Sequence, residues 1–271
     1  MNLQKLYDIE PWEWPEGSAE LIFTTLNDCN SDLSTRLMAA EMAGDYVVAN
    51  DKLAQALLDI LNNNTEDTKL RSQAAISLGP ALEHADIYEF DDPEDIVLSE
   101  KVFQMILASL QRAYHDAEIP NDVRRSVLEA AIRAPQAWQE GAVRAAYQSD
   151  DKQWQLTAVF CMSYIGGFKP QILEALESGN PDIHYQAVLA AGHQEIEEAW
   201  PHIKTLLMST KIEKPLIFAA IEAAVVFGTP EAMNSLEKLL DANDDEIVDA
   251  IHEAMAMLEA LESEEVEEAE E

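Results

Sequence analysis

The chain has 271 residues, 48% of them apolar, and a formal charge of −35 from 52 acidic against 17 basic side chains. That is enough apolar chain to bury a large core, while the charge argues against duplex nucleic acid or an anionic membrane surface as partner, since both draw affinity from Lys and Arg. The two cysteines, Cys29 and Cys161, form no CxxC pair, so neither a disulfide framework nor a thiolate zinc site is indicated.

The opening segment, 1–17, carries no apolar export core, and the most apolar run, 215–228, is too short to span a bilayer and contains Glu222. The expected location is cytoplasmic. Trp12 and Trp14 sit between prolines in "EPWEWPEG". This reads as a cap over the first helical hairpin, which a repeat array needs; a docking motif is the alternative.

A repeating frame begins at "SDLSTRLMAAEMAG" (31–44), where Asp32 precedes Thr35 by three residues and Ala39, Met42 and Ala43 follow it. The same frame returns as Asp67, Leu70, Ala74, Ser77 and Leu78, and then as Val123, Val127, Ala130 and Ala131, where Pro120 replaces the acidic start. Next come Asp151, Trp154, Ala158, Cys161 and Met162, then Asn180, Ile183, Ala187, Ala190 and Ala191. Glu213, Leu216, Ala220, Ala223 and Ala224 follow, and Asp244, Ile247, Ile251, Ala254 and Met255 close the series. The period is roughly 30–35 residues with one longer step, inside the range of repeat architectures. Second amphipathic segments lie between the frames at 52–61, 101–110, 171–178, 202–209 and 233–240, so each repeat is predicted to be a helical hairpin. The frame's apolar positions share one helical face, and small residues there let a neighbouring helix approach closely. The Asp or Asn three residues earlier is predicted to be the N-cap.

Between the second and third frames lies the acidic insertion 82–100, expected to be a solvated loop. Asp91, Asp92, Glu94 and Asp95 are its candidate calcium ligands, but EF-hand spacing and a turn glycine are missing. Arg112, Arg124, Arg125, Arg133 and Arg144 follow closely, which points to pairing within the chain. The tail 262–271 is a like-charge run, expected to be a frayed helix end or a solvating tail.

The Asp–x–x–apolar–Arg–x–x–Ala pattern at Asp67, Leu70, Arg71 and Ala74, with its weaker copies, resembles the HEAT-like repeats, especially the short-repeat type also found in phycobilin lyases. Arg36, Arg71 and Arg124 occupy the family's arginine position, whereas Gln155, His184, Ile217 and Val248 replace it later. The resemblance covers about residues 18–261. It implies an all-α fold, an α-α superhelix (solenoid) of about seven HEAT-like helical hairpins, between a cap at 1–17 and a tail at 262–271, and says little about function.

Catalytic signals are missing. No Gly-rich phosphate loop, nucleophile elbow or HExxH pair occurs. His184 and His193 are nine residues apart, which puts them on opposite faces of one helix, and His202 follows Trp200 and Pro201 into the next helix; no metal site is assigned to these three, and no cofactor or catalytic site is assigned. The frame's outward positions, expected to line a concave groove, are charged or mixed at both ends of the series. In the middle they read Leu156, Phe160, Tyr185, Leu189 and Phe218. Arg125, Glu129, Glu222, Asp249 and Glu253 are expected at the rim. An apolar patch rimmed by acid suits a protein segment with apolar anchors and basic flanks; packing between repeats is the competing explanation. The expected function is a non-catalytic scaffold, adaptor or regulatory binder. The alternatives are a phycobilin lyase-like chromophore-handling protein, or an acidic inhibitor or immunity-type protein of a basic enzyme.

Overall fold

In the computed structural model, residues 2–88, 90, 97–209, 212–240 and 244–270 are described, with side chains as far as Met257. The described residues form helices and turns only, in two compact units, Met1–Ala142 and Val143–Glu271. Within each unit the architecture is all-α, a solenoid of helical hairpins.

In the first unit α1 (Leu3–Tyr7), α2 (Ser18–Asn27), α3 (Leu33–Met42), α4 (Asp51–Asn62), α5 (Thr68–Ile76), α6 (Gly79–Ile87), α7 (Glu100–His115) and α8 (Asn121–Ala131) follow in order. The frame helices α3, α5 and α8 stack one on the next, and α2, α4 and α7 form a second layer against them. In the N-terminal segment α1 rests on α2 and α3, burying Leu3 and Leu6. The Trp14 indole N–H donates to the carbonyls of Leu6 and Ile9 at 3.0 and 3.2 Å, while Trp12 is 72% exposed. Helix α9 (Ala137–Tyr147) spans the boundary between the units. Sequence periodicity did not single it out, yet Gln139 is buried at its start and donates to the Ala131 carbonyl at 2.7 Å.

The second unit contains α10 (Lys152–Cys161), α11 (Lys169–Ala175), α12 (Pro181–His193), α13 (Trp200–Leu207), α14 (Lys214–Phe227), α15 (Pro230–Leu240) and α16 (Asp245–Glu270). Its frame helices α10, α12, α14 and α16 stack in sequence, with α11 on α12, α13 on α14 and α15 on α16. The small residues do what their spacing predicts. Ala158, Cys161, Ala187, Ala190, Ala191, Ala220, Ala223 and Ala224 are buried. A Cβ placed on Gly192 would lie 2.8 Å from the Cα of Ala223, so α12 and α14 touch backbone to backbone. Gly44 meets the Ser77 backbone in the same way in the first unit.

The N-caps follow the frame where the residue is Asp or Asn. Asp32 accepts from the Thr35 N–H, Asp67 from Lys69, Asp151 from Gln153, and Asn180 from Asp182 and Ile183. Glu213 makes no such bond; its longer side chain is a poor fit to the cap geometry, and Pro215 in the first turn removes one of the donors. The arginines of the first three frames make one shared contact. Arg36, Arg71 and Arg124 each donate Nε–H to the carbonyl ten residues earlier, on Leu26, Leu61 and Tyr114, at 3.0, 2.9 and 2.7 Å. Each thus satisfies a carbonyl left open at the C-terminal end of the preceding helix.

One expectation needs correction. Residues 82–87 of the insertion belong to α6 and are not loop. Pro80 starts that helix, Ala81, Leu82 and Ala85 are buried, and Glu83 is ion-paired to Arg133. The calcium candidates Asp91, Asp92, Glu94 and Asp95 lie outside the described residues. At the C-terminus α16 continues without a break to Glu270, as expected of a Glu- and Ala-rich run with high helix propensity.

Candidate protein-binding face

The second unit carries the row of large apolar residues that the outward frame positions predict. Leu156 and Phe160 lie on α10, Tyr185 and Leu189 on α12, and Phe218 on α14. All five are half-buried. Because α10, α12 and α14 stack in that order, the row crosses three successive helices. The Phe160 ring lies 5.4 Å from that of Tyr164, which extends the aromatic surface on the α10 side.

Acid borders the row on the α14 and α16 side. Glu222, Asp249 and Glu253 are exposed, and α16 packs on α14. Burial pushes the Tyr185 hydroxyl up in pKa, and the Glu222 carboxylate adds to the effect, so those two groups sense one another across α12 and α14. Glu222 also accepts from or pairs with His193 Nε2 at 3.1 Å. Arg125 and Glu129 lie on α8 of the first unit, where Arg125 donates to Asp122 at 2.8 Å.

The histidines sort as helical geometry requires. His193 faces α14 and Glu222, whereas His184 faces α13, with its Nε2 2.8 Å from that of His202. Burial holds His184 below the ordinary histidine pKa, the neighbouring His202 lowers it further, and Glu177 opposes both. The sequence did not reveal the His184–His202 contact, because it joins two helices through side chains whose directions periodicity does not specify.

A second feature was also invisible in the sequence. In the first unit a cavity of about 280 Å³ opens between α1, the turn after it and the end of α3. Tyr7 and Trp14 supply aromatic walls and Asp8, Glu10, Glu41 and Asp45 the carboxylates. The Tyr7 hydroxyl donates to Glu41 at 3.2 Å. Among the described residues no cluster of three or more His, Cys, Asp or Glu side chains has metal-site geometry, and no helix is long and apolar enough to cross a membrane.

The fold places the chain among α-α helical-repeat proteins. No family model and no curated protein sequence matches it. Among solved structures it is similar to the complex of CpcE and CpcF of phycocyanin lyase from Nostoc, at 19% identity and TM-score 0.53, over 93% of this chain and 98% of that one. It is also similar to human deoxyhypusine hydroxylase in complex with glycerol, at 17% identity and TM-score 0.42, over 95% and 88%. These are likenesses of fold.

Proposed function

We propose that this chain is a non-catalytic protein-binding scaffold, adaptor or regulatory binder of the HEAT-like type. Its second unit would take a partner segment with apolar anchors and basic flanks. The observation that carries this reading is the half-buried row Leu156, Phe160, Tyr185, Leu189 and Phe218 on three stacked helices. Each of these side chains keeps part of its surface exposed, and exposed carboxylates stand on α14 and α16. Apolar anchors supply affinity, and the acid at the border selects basic flanks and steers their approach.

The test compares affinity capture on the wild type with capture on Phe160→Asp/Phe218→Asp and on Glu222→Lys/Asp249→Lys/Glu253→Lys, all confirmed as folded by circular dichroism. The expected result is a basic protein held by the wild type, released by salt, and lost by both variants. Equal capture by all three proteins would overturn the reading.

A second reading is chromophore handling, supported by the likeness of fold to the CpcE–CpcF structure. Under it, the same apolar row would hold a linear tetrapyrrole. Mixing with free bilins and recording visible absorbance separates the two: a shifted band lost in Phe160→Asp/Phe218→Asp favours chromophore handling, and an unchanged spectrum removes it.

A further inference from the structure

At the frame position where Arg36, Arg71 and Arg124 each satisfy a helix-end carbonyl, the repeat containing α12 has His184. Its side chain turns toward α13, where His202 meets it. The two Nε2 atoms are 2.8 Å apart, and the ring centroids are 5.0 Å apart with planes crossed at 77°. The rings are not stacked; their nitrogens face one another. On the far side of His202, Glu177 Oε1 lies 3.4 Å from Nδ1.

A hydrogen on His202 Nδ1, facing the Glu177 carboxylate, would leave the His202 Nε2 lone pair directed at His184. The single hydrogen between the two rings would then belong to His184 Nε2. If it moves through water to His184 Nδ1, two imidazole lone pairs face one space. The carboxylate behind one of them is the outer partner that orients histidine ligands and makes them more basic.

We infer that His184 and His202 form a two-histidine clamp for a divalent transition-metal ion of the imidazole-preferring class, such as Zn²⁺. It would fasten α12 to α13. Tetrahedral Zn–N bonds of about 2.0–2.1 Å set two nitrogens roughly 3.3 Å apart, so the pair must open by about half an ångström and both rings must tilt until their lone pairs converge on the ion. Both rings are half-buried, His202 with 24% of its side chain exposed, so water can fill the remaining coordination positions. No third protein ligand of metal-site geometry joins them among the described residues, which makes this an exchangeable site. His193, on the opposite face of α12 and engaged with Glu222, is excluded from it. The surrounding acidity raises the local concentration of cations, and it dictates the control, because exposed carboxylates bind divalent ions weakly.

The experiment is calorimetric titration of the full chain with Zn²⁺ in excess Mg²⁺, which saturates the oxygen sites. Wild type, His184→Gln, His202→Gln, His193→Gln and Glu177→Gln are compared, each checked for folding by circular dichroism. The expected result is one equivalent bound by wild type and His193→Gln, with loss in His184→Gln and in His202→Gln. Glu177→Gln should weaken binding by about tenfold or more, as outer partners do. In the wild type, the imidazole resonances of His184 and His202, and not those of His193, should shift on titration. Identical isotherms for wild type and His184→Gln, or no saturable binding by wild type, would overturn the clamp. If both glutamine variants unfold, the resonance shifts in the wild type decide it alone.

Discussion

Replacing Gly192 with alanine tests the closest contact in the second unit. The new Cβ would lie 2.8 Å from the Cα of Ala223 and 2.9 Å from its Cβ. Ordinary carbon–carbon contact is about 3.5–4.0 Å, and the obstructing atoms belong to a buried helix that no rotamer change can move. Helix propensity alone favours alanine over glycine by about 1 kcal/mol, and overpacking a filled interface costs about 1–3 kcal/mol. With no room for relaxation the upper part of that range applies, so the variant should lose about 1–2 kcal/mol and its Tm should fall by about 2–8 °C. Gly141, within α9, is the matched control: nothing lies within 4 Å of its added Cβ, so Gly141→Ala should be neutral or gain up to about 1 kcal/mol. Thermal and urea unfolding followed by far-UV circular dichroism measure both. Adding Ala223→Gly should recover only part of the loss, since the Cα at 2.8 Å remains. A Gly192→Ala protein as stable as wild type would refute direct backbone contact between α12 and α14.

Arg71 is buried, and its Nε donates to the Leu61 carbonyl at 2.9 Å. Arg71→Ala should cost about 1–3 kcal/mol by leaving that acceptor unsatisfied, read as a lower urea midpoint, and Arg71→Lys should recover little of it. Asn180→Ala removes the bonds to the first turn of α12 and should cost about 0.5–2 kcal/mol, whereas Glu213→Ala, where no cap bond exists, should cost far less in the same assay. Arg36 binds both oxygens of Glu66 at 2.8 Å, and this pairing holds the Glu66 carboxyl below the ordinary glutamate range. A lowered carboxyl pKa stabilises the fold above the ordinary value, and the contribution is lost as pH falls through the lowered one. The stability gap between wild type and Glu66→Gln should therefore be full at neutral pH and shrink on acidification; a gap independent of pH would refute it.

What was legible in the sequence traces to volume and capping. Alanines at fixed spacing mark where helices must approach closely, and Asp32, Asp67, Asp151 and Asn180 mark where helices begin, because both constraints act on a residue type at a set position. The outward row from Leu156 to Phe218 follows from the same register. Less legible were features set by where side chains turn. The His184–His202 contact depends on rotamers in two separate helices, and the cavity beside Tyr7 and Trp14 arises from a turn folding back onto α3. Helix α9 escaped because "APQAWQEG" looks like a connection; the buried amide of Gln139 and the packing of Trp138 on Tyr114, at 5.0 Å between ring centroids, make it a helix.

The Arg36, Arg71 and Arg124 contacts fall within the first unit, and the equivalent positions of the second hold Gln155, His184, Ile217 and Val248. Each arginine ties a frame helix to the end of the helix before it through a charged donor, so opening one hairpin must also break its neighbour's fastening. In the second unit Gln155 keeps a neutral version of that bond, to the Ser149 carbonyl at 2.7 Å, while α12 and α14 meet through small apolar side chains, which give way a few at a time. Native-state hydrogen exchange should reveal this as a gradient, with amides of α5 and α8 exchanging by cooperative opening and those of α12 and α14 by smaller fluctuations. A partner seated on Phe160, Tyr185 and Phe218 would then bind the more pliable part of the chain, and slower exchange in α12 and α14 would report its arrival.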